Sequence, residues 1–99
     1  MELNWTRSAL RDLDDAGNYI ALDNPAAAAS MAQHIQEAVE YLEDHPALGR
    51  SGRLRGTREL AVSGTPFIII YRVRLDMIQI LRMMHHAHKW PKSSRDKYG

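Results

Sequence analysis

Apolar residues recur at helical spacing in the first half of the chain and alternate as in strands in the second half. A first helix is predicted to begin after Thr6, whose side chain can cap it, and to end near Leu22. Its apolar stripe comprises Ala9, Leu10, Leu13, Ala16 and Ile20. The charged residues beside this stripe are expected to face water: Arg11, Asp12, Asp14 and Asp15.

A second helix is predicted from the Asn24-Pro25 pair to about Asp44. Asn24 is a favoured N-cap, and proline is tolerated at the first helical position because its missing N–H would have no partner there. The second stripe comprises Ala28, Met31, Ile35, Ala38, Val39 and Leu42. The very short connection makes the two helices an antiparallel hairpin. We interpret both stripes as core, not as a cofactor-binding surface, and we expect no cofactor.

Four strands complete the predicted fold, at residues 2–5, 58–62, 67–73 and 77–84. The last three are joined by short turns and must therefore pair as antiparallel hairpins. The order β-α-α-β-β-β predicts an α+β domain, in which a two-helix hairpin packs on a mainly antiparallel four-stranded sheet whose other face is partly open. The predicted core comprises Leu13, Ile20, Ile35, Val39, Leu42, Ile70 and Ile80. We expect a single domain over residues 1–91 and a mobile polar tail over 92–99.

Charge is divided unequally between the two halves. Residues 1–45 hold two Arg and nine acidic residues, a net charge of −7. Residues 46–99 hold eleven Lys and Arg and three acidic residues, a net charge of +8. Eight of those eleven cations are arginines, whose planar fork suits phosphate and carboxylate. This division favours a basic surface for nucleic acid or an acidic partner, although segregation by chance is the alternative.

The arginines cluster in the glycine-rich loop 47–56 and on the strands after it. The set is Arg50, Arg53, Arg55, Arg58, Arg72 and Arg82. A charge in an apolar strand is costly unless it faces water or a partner, so Arg72 and Arg82 stand out. If both reach the open face of the sheet, the set forms one concave cationic surface. Such a surface could hold an RNA backbone or an acidic protein segment.

A histidine cluster follows the last strand, with His85, His86, His88 and Trp90 within six residues. A histidine there could act as a general acid or base, because its ordinary pKa lies near neutrality. The alternative is a solvated strand end. No metal site is predicted, since the spacing lacks a helical i, i+4 pair and a nearby carboxylate.

Several function classes are disfavoured by the sequence. There is no cysteine, hence no disulfide framework and no thiolate chemistry, which suits a reducing cytoplasm. The N-terminus does not look like a signal peptide, and the longest apolar run, residues 67–71, is too short to cross a bilayer. We therefore expect a soluble cytoplasmic protein.

Taken together, the motifs resemble the RelE/ParE superfamily of type II toxins over nearly the whole chain. The first part of the likeness is Trp5-Thr6, Ala9, Asp12-Leu13, Tyr19-Ile20-Ala21, Asn24-Pro25 with the alanine block, and Pro46-Ala47-Leu48-Gly49-Arg50. The second part is Gly56-Thr57-Arg58-Glu59-Leu60, Pro66, Tyr71-Arg72-Val73, Ile80-Leu81-Arg82 and His85. The resemblance implies the same fold, a growth-inhibiting activity, and a cognate antitoxin encoded alongside that wraps the toxin and blocks it.

Two targets are open within this superfamily. RelE-like members cut messenger RNA on the ribosome with lysines, arginines and often a late tyrosine or histidine, whereas ParE-like members poison DNA gyrase. This chain has no lysine from Arg50 to Met84, and Tyr98 lies far into the tail, which favours the ParE-like branch. His85 keeps the metal-independent nuclease open, with Arg58, Arg72 and Arg82 as charge stabilisers. The predicted contacts to target or antitoxin are Arg50, Arg53, Arg55, Arg58, Arg72, Arg82, His88 and Trp90.

Overall fold

A computed structural model of the chain describes residues 1–86. The elements in chain order are β1 (Glu2–Trp5), α1 (Arg7–Asp23), α2 (Pro25–Asp44), β2 (Arg50–Ser51), β3 (Arg58–Ala61), β4 (Phe67–Arg74) and β5 (Met77–His85). The predicted α+β fold is confirmed, with the two helices preceding the main run of strands. The sheet contains one strand more than predicted, because β2 forms inside the segment expected to be a loop.

The helix boundaries follow from side-chain caps. The Thr6 hydroxyl accepts the Ala9 N–H at 3.1 Å and caps α1. The side-chain oxygen Oδ1 of Asn24 accepts the Ala27 N–H at 3.1 Å and caps α2, with Pro25 at its first position. Each cap satisfies an N–H that the helix itself cannot pair. Both predicted helix starts are therefore confirmed.

The five strands form one mixed sheet in the order β1-β5-β4-β3-β2. β1 pairs with β5 in parallel, and the other neighbours pair antiparallel. A single cross-strand row joins Arg50 to Glu59, Glu59 to Ile70, and Ile70 to Arg82. β4 is the central strand, and it contributes buried apolar residues to both faces of the sheet.

The helices cover one face of the sheet. The main core joins Met31, Ile35, Val39 and Leu42 of α2 to buried residues of β4 and β5, among them Ile69, Tyr71, Ile78 and Ile80. A second, smaller cluster contains no helix residue and consists of Ile70, Leu81 and Met84. Since neighbours along a strand point to opposite faces, this cluster lies on the face away from the helices, called here the open face.

Most of the predicted core is confirmed, with corrections in α1. Ile35, Val39, Leu42, Ile70 and Ile80 are buried. Two further predicted core residues, Leu13 and Ile20, are half-buried and pack against the core. Leu10, predicted on the buried stripe, is instead 48% exposed, because it lines an open groove together with Trp5 and Leu13.

A β-bulge in β5 shapes the end of the sheet near α1. Ile70 pairs with Arg82 and Tyr71 with Ile80, so Leu81 is the additional residue in β5. The Thr6 hydroxyl donates to the Leu81 carbonyl at 2.9 Å. This bond ties β5 to the start of α1 at the bulge.

Neither helix of the described part is long and apolar enough to cross a membrane.

Candidate partner-binding surface

The arginine-rich segment between β2 and β3 is a closed hairpin loop. The Gly52 N–H donates to the Thr57 carbonyl at 2.8 Å, and the Thr57 hydroxyl donates to the Leu54 carbonyl at 2.6 Å. Gly56 has a φ of +78°, a conformation that other residues rarely adopt. The loop that carries Arg53 and Arg55 therefore has a defined backbone.

A buried carboxylate lies beneath this loop. The side chain of Glu59 is only 2% exposed. It accepts the backbone N–H of Arg53 at 2.7 Å and lies 3.5 Å from Nη2 of Arg50 and 3.8 Å from Nε of Arg53. The side chain of Arg50 is 72% exposed, and that of Arg53 is 49% exposed. The buried acid thus gathers two exposed cations on the open face.

Arg72 lies on the same face, on the central strand. It follows Tyr71, whose side chain is in the main core, and the alternation of β4 therefore turns Arg72 to the open face. Its Nε donates to the side-chain oxygen of Gln79 at 2.7 Å. We call Arg50, Arg53, Arg55 and Arg72 the arginine surface.

Arg58 has a different place, on the helix-covered side of the sheet edge. It pairs with Tyr71, and directly paired residues share a face. Its Nη1 donates to the Gly49 carbonyl at 2.7 Å and lies 3.4 Å from the Ala47 carbonyl. Arg58 therefore clamps the segment that leads from α2 into β2.

Tyr71 completes this clamp from inside the core. Its hydroxyl accepts the Gly49 N–H at 2.8 Å and donates to the Pro46 carbonyl at 2.9 Å. Burial raises the pKa of Tyr71 above its ordinary value, while the bond from Gly49 and the charge of Arg58 act in the opposite direction. The phenol is consequently held in its neutral form, which can both donate and accept.

Arg82 does not join the arginine surface. Its Nε and Nη2 donate to the two carboxylate oxygens of Asp12 at 2.7 and 3.0 Å, and Asp12 also accepts the Met83 N–H at 3.0 Å. Hydrogen bonding to Asp12 raises the pKa of Arg82. The expectation that Asp12 faces water was therefore wrong: it accepts the backbone N–H of Met83, two residues past the bulge, and ties β5 to α1.

His85 lies at the end of β5, beside an open cavity of about 520 Å³ between α1 and the sheet. Its ring contacts Phe67 edge-on, with centroids 5.6 Å apart, and stacks on His86 at 4.8 Å. Arg82 and Asp12 line the same cavity. Within residues 1–86, no three histidine or acidic side chains are grouped closely enough to hold a metal.

The structure thus divides the predicted residues among several places. It brings together Arg50 and Arg53, with Arg55 on the same loop and Arg72 on the same face, and separately it brings Arg82 beside His85. His88 and Trp90 lie outside the described residues, as does the tail. The sequence alone does not single out Glu59 as a functional residue: it appears only within the Gly56-Thr57-Arg58-Glu59-Leu60 motif and among the three acids of the basic half. An acid at the start of a strand after an arginine-rich loop was the available signal.

Comparison with known proteins assigns the chain to a family. Residues 3–90 match the family model described as the ParE toxin of the type II toxin–antitoxin system parDE. The chain therefore belongs to the ParE toxin family, within the RelE/ParE superfamily. Membership in a paired system implies a cognate antitoxin as partner.

Individual relatives agree with this assignment. A protein of Sinorhizobium fredii named putative toxin Y4kP is 46% identical over 91% of this chain and 93% of its own length. Toxin RelE2 of Caulobacter vibrioides is 36% identical over 84% of this chain and 92% of its own length. A solved structure titled chromosomal ParDE TA system from P. aeruginosa superimposes with a TM-score of 0.76 and 36% identity, covering 86% of this chain and 95% of that chain.

Proposed function

We propose that this toxin arrests growth by binding and poisoning DNA gyrase. The arginine surface is the part that contacts the target, and a cognate antitoxin prevents that contact. A poison of this type needs a shaped and charged surface but no proton transfer, so its action depends on several contacts that each contribute in part.

One observation carries the choice against a nuclease: the cation beside His85 is already neutralised. Stabilising a phosphorane requires a cation directed at the substrate. Arg82, the candidate nearest His85, gives both arms of its fork to Asp12 at 2.7 and 3.0 Å. Arg58 is bound to backbone carbonyls at the far edge of the sheet, and Arg72 to Gln79. Because these three arginines are bound at separate places and not gathered around His85, a binding function of the arginine surface is favoured over catalysis.

The alternative is a ribosome-dependent messenger RNA endoribonuclease. Two observations favour it: one relative carries the name RelE2, and His85 and Arg82 line one open cavity. In that mechanism His85 would exchange protons with the 2′-hydroxyl or the leaving oxygen. Arg82 would then have to leave Asp12 when the substrate binds.

The decisive experiment measures which macromolecular synthesis stops first after induction of the toxin. We expect DNA synthesis to stop before protein synthesis, with induction of the DNA-damage response and with gyrase trapped on cut DNA. The messenger RNA should stay whole. Early cleavage of messenger RNA at a fixed codon position would show that the nuclease is the correct function.

His85→Gln separates the two functions at the level of one side chain. Glutamine keeps similar size and some hydrogen bonding but cannot transfer a proton near neutral pH. For a gyrase poison we expect toxicity to fall no more than about tenfold, the effect of one modest contact. The matched control is His45→Gln, at the exposed C-cap of α2. Complete loss of toxicity in His85→Gln, with antitoxin binding intact, would contradict the proposal.

A further inference from the structure

We propose that Glu59 is a positioning residue of the arginine surface. Its carboxylate orients the side chains of Arg50 and Arg53 so that they can bind an acidic segment of the protein target. This inference rests on the proposed function. It concerns a residue that contacts no partner itself, because its side chain is only 2% exposed.

The first argument is the way in which Glu59 is bonded. One carboxylate oxygen accepts the Arg53 backbone N–H at 2.7 Å and thereby fixes the loop backbone. The other oxygen, Oε1, lies 3.5 Å from Nη2 of Arg50 and 3.8 Å from Nε of Arg53. A single buried acid therefore holds two residues that come from different parts of the hairpin.

The second argument is the contrast with Asp12. Asp12 takes two short bonds from one guanidinium, Arg82, whose side chain is 22% exposed, and so neutralises it. Glu59 lies at longer distances from two guanidiniums whose side chains are 72% and 49% exposed. Contacts of 3.5–3.8 Å are weaker than the ideal charge-assisted bond. They orient the two arginines while leaving their outer surfaces toward solvent.

The third argument is that a buried carboxylate is expensive unless it has donors. Removing a carboxylate from water is unfavourable, and the backbone N–H and the two arginines offset that cost. The position would be filled more cheaply by an apolar residue, as in the neighbouring Ile70 and Leu81 of the open face. The presence of an acid at position 59 is explained if it holds the exposed arginines in one geometry for a carboxylate-bearing partner.

The test compares Glu59→Gln with an exposed control of identical chemistry, Glu40→Gln on α2. Both full-length variants lose one negative charge, so the net charge of each rises by one. Simple Coulomb attraction would make Glu59→Gln bind an acidic partner more tightly, because a negative charge beside the arginines is lost. Positioning predicts the opposite: the concentration that half-inhibits gyrase supercoiling should rise about tenfold. Glu40→Gln should stay within about twofold of wild type, as expected of a distant surface charge.

Hydrogen exchange supplies a readout that needs no target. In Glu59→Gln the backbone amides of residues 52–57 should exchange faster than in wild type, while those of α2 remain protected. Glu59→Asp keeps the charge and should recover part of the inhibition. If Glu59→Gln does not fold, Glu59→Asp is compared with Val39→Ala, a variant of the buried core that leaves the arginine surface intact. Equal inhibition by these two variants would overturn the proposal.

The double variant Arg50→Gln with Arg53→Gln distinguishes the two possible failures. If it inhibits gyrase like wild type, or if wild type does not inhibit gyrase at all, the proposed function of the surface is wrong. If it loses inhibition while Glu59→Gln inhibits as well as or better than wild type, only the positioning role of Glu59 is wrong. Binding to RNA in place of gyrase, sensitive to the same double variant, would also contradict the acidic protein partner.

Discussion

Asp12 and Glu59 are acidic residues whose side chains are largely removed from solvent, and each accepts a backbone N–H as well as contacting an arginine. Asp12 accepts the Met83 N–H two residues past the bulge, and Glu59 accepts the Arg53 N–H in the hairpin loop. The sequence pattern could not identify either role. It shows the acidic residue, but it does not show which distant backbone N–H group that residue will accept. A residue's position on a helical stripe predicts which side of the helix it occupies, not which distant amide it meets.

Asp12→Asn should destabilise the fold while leaving its shape intact. The amide can accept only with its oxygen, so the fork of Arg82 loses one acceptor and its counter-charge in a half-buried place. We expect the free energy of unfolding in urea to fall by about 2 kcal/mol. Asp14 lies two residues further along α1 and is exposed. The free energy of unfolding of Asp14→Asn should therefore stay within about 0.5 kcal/mol of wild type. Equal stability of the two variants would show that the Asp12–Arg82 pair contributes nothing.

Tyr71 predicts a pH dependence of stability. Its pKa is raised in the folded protein above the ordinary 10.0, so the folded state keeps this proton where the unfolded chain releases it. The contribution is fully present below pH 10.0 and is lost as the pH rises through the folded-state pKa. The free energy of unfolding, measured across this range, should therefore fall with increasing pH.

Tyr71→Phe tests this origin, because it removes the titrating group and the bonds to Gly49 and Pro46. The variant should be about 1–3 kcal/mol less stable near neutral pH and should show a flatter alkaline slope than wild type. Tyr41, whose ring is 53% exposed, gives the matched control Tyr41→Phe. An unchanged alkaline slope in Tyr71→Phe would exclude Tyr71 as the source.

At the scale of elements, the regular parts of the fold could be predicted and the irregular parts could not. Thr6, Asn24 and Pro25 specify both helix starts locally, so sequence alone located them. β2 comprises only Arg50–Ser51 and depends on pairing with β3, which no local pattern indicates. The bulge at Leu81 is equally non-local, because the Leu81 carbonyl accepts a hydrogen bond from Thr6 of a distant segment.

Two glycines test how far tertiary contacts determine an element. A Cβ at Gly49 would lie 2.7 Å from the Tyr71 ring and 2.8 Å from the Glu59 carbonyl, both fixed groups. Gly17 lies inside α1, and a Cβ there would meet only the end of Met31 at 4.0 Å. Gly49→Ala should therefore lower the unfolding midpoint, whereas Gly17→Ala should add up to about 1 kcal/mol of stability through helix propensity. Equal effects of the two substitutions would show that the 46–49 segment is not tightly packed.

At the scale of the whole molecule, the charge division seen in the sequence becomes a division between layers. The acidic first half supplies both helices, and the basic half supplies all strands except β1. The sequence therefore predicted that a cationic surface would lie on the sheet. It could not predict which arginines share it, because Arg82 is bound to Asp12 of α1 and the strand register places Arg58 beside Gly49.

This layering predicts how the antitoxin associates. An acidic segment of the antitoxin should be drawn to the arginine surface, so the association rate should fall as salt is added. Arg50→Gln with Arg53→Gln should lower that rate at low salt and flatten its salt dependence. Arg7→Gln with Arg11→Gln changes the net charge of the molecule identically, but both residues are exposed on α1. Stopped-flow mixing with the purified cognate antitoxin measures both the rate and its salt dependence. If the two double variants behave alike, only net charge matters and the arginine surface does not direct the encounter.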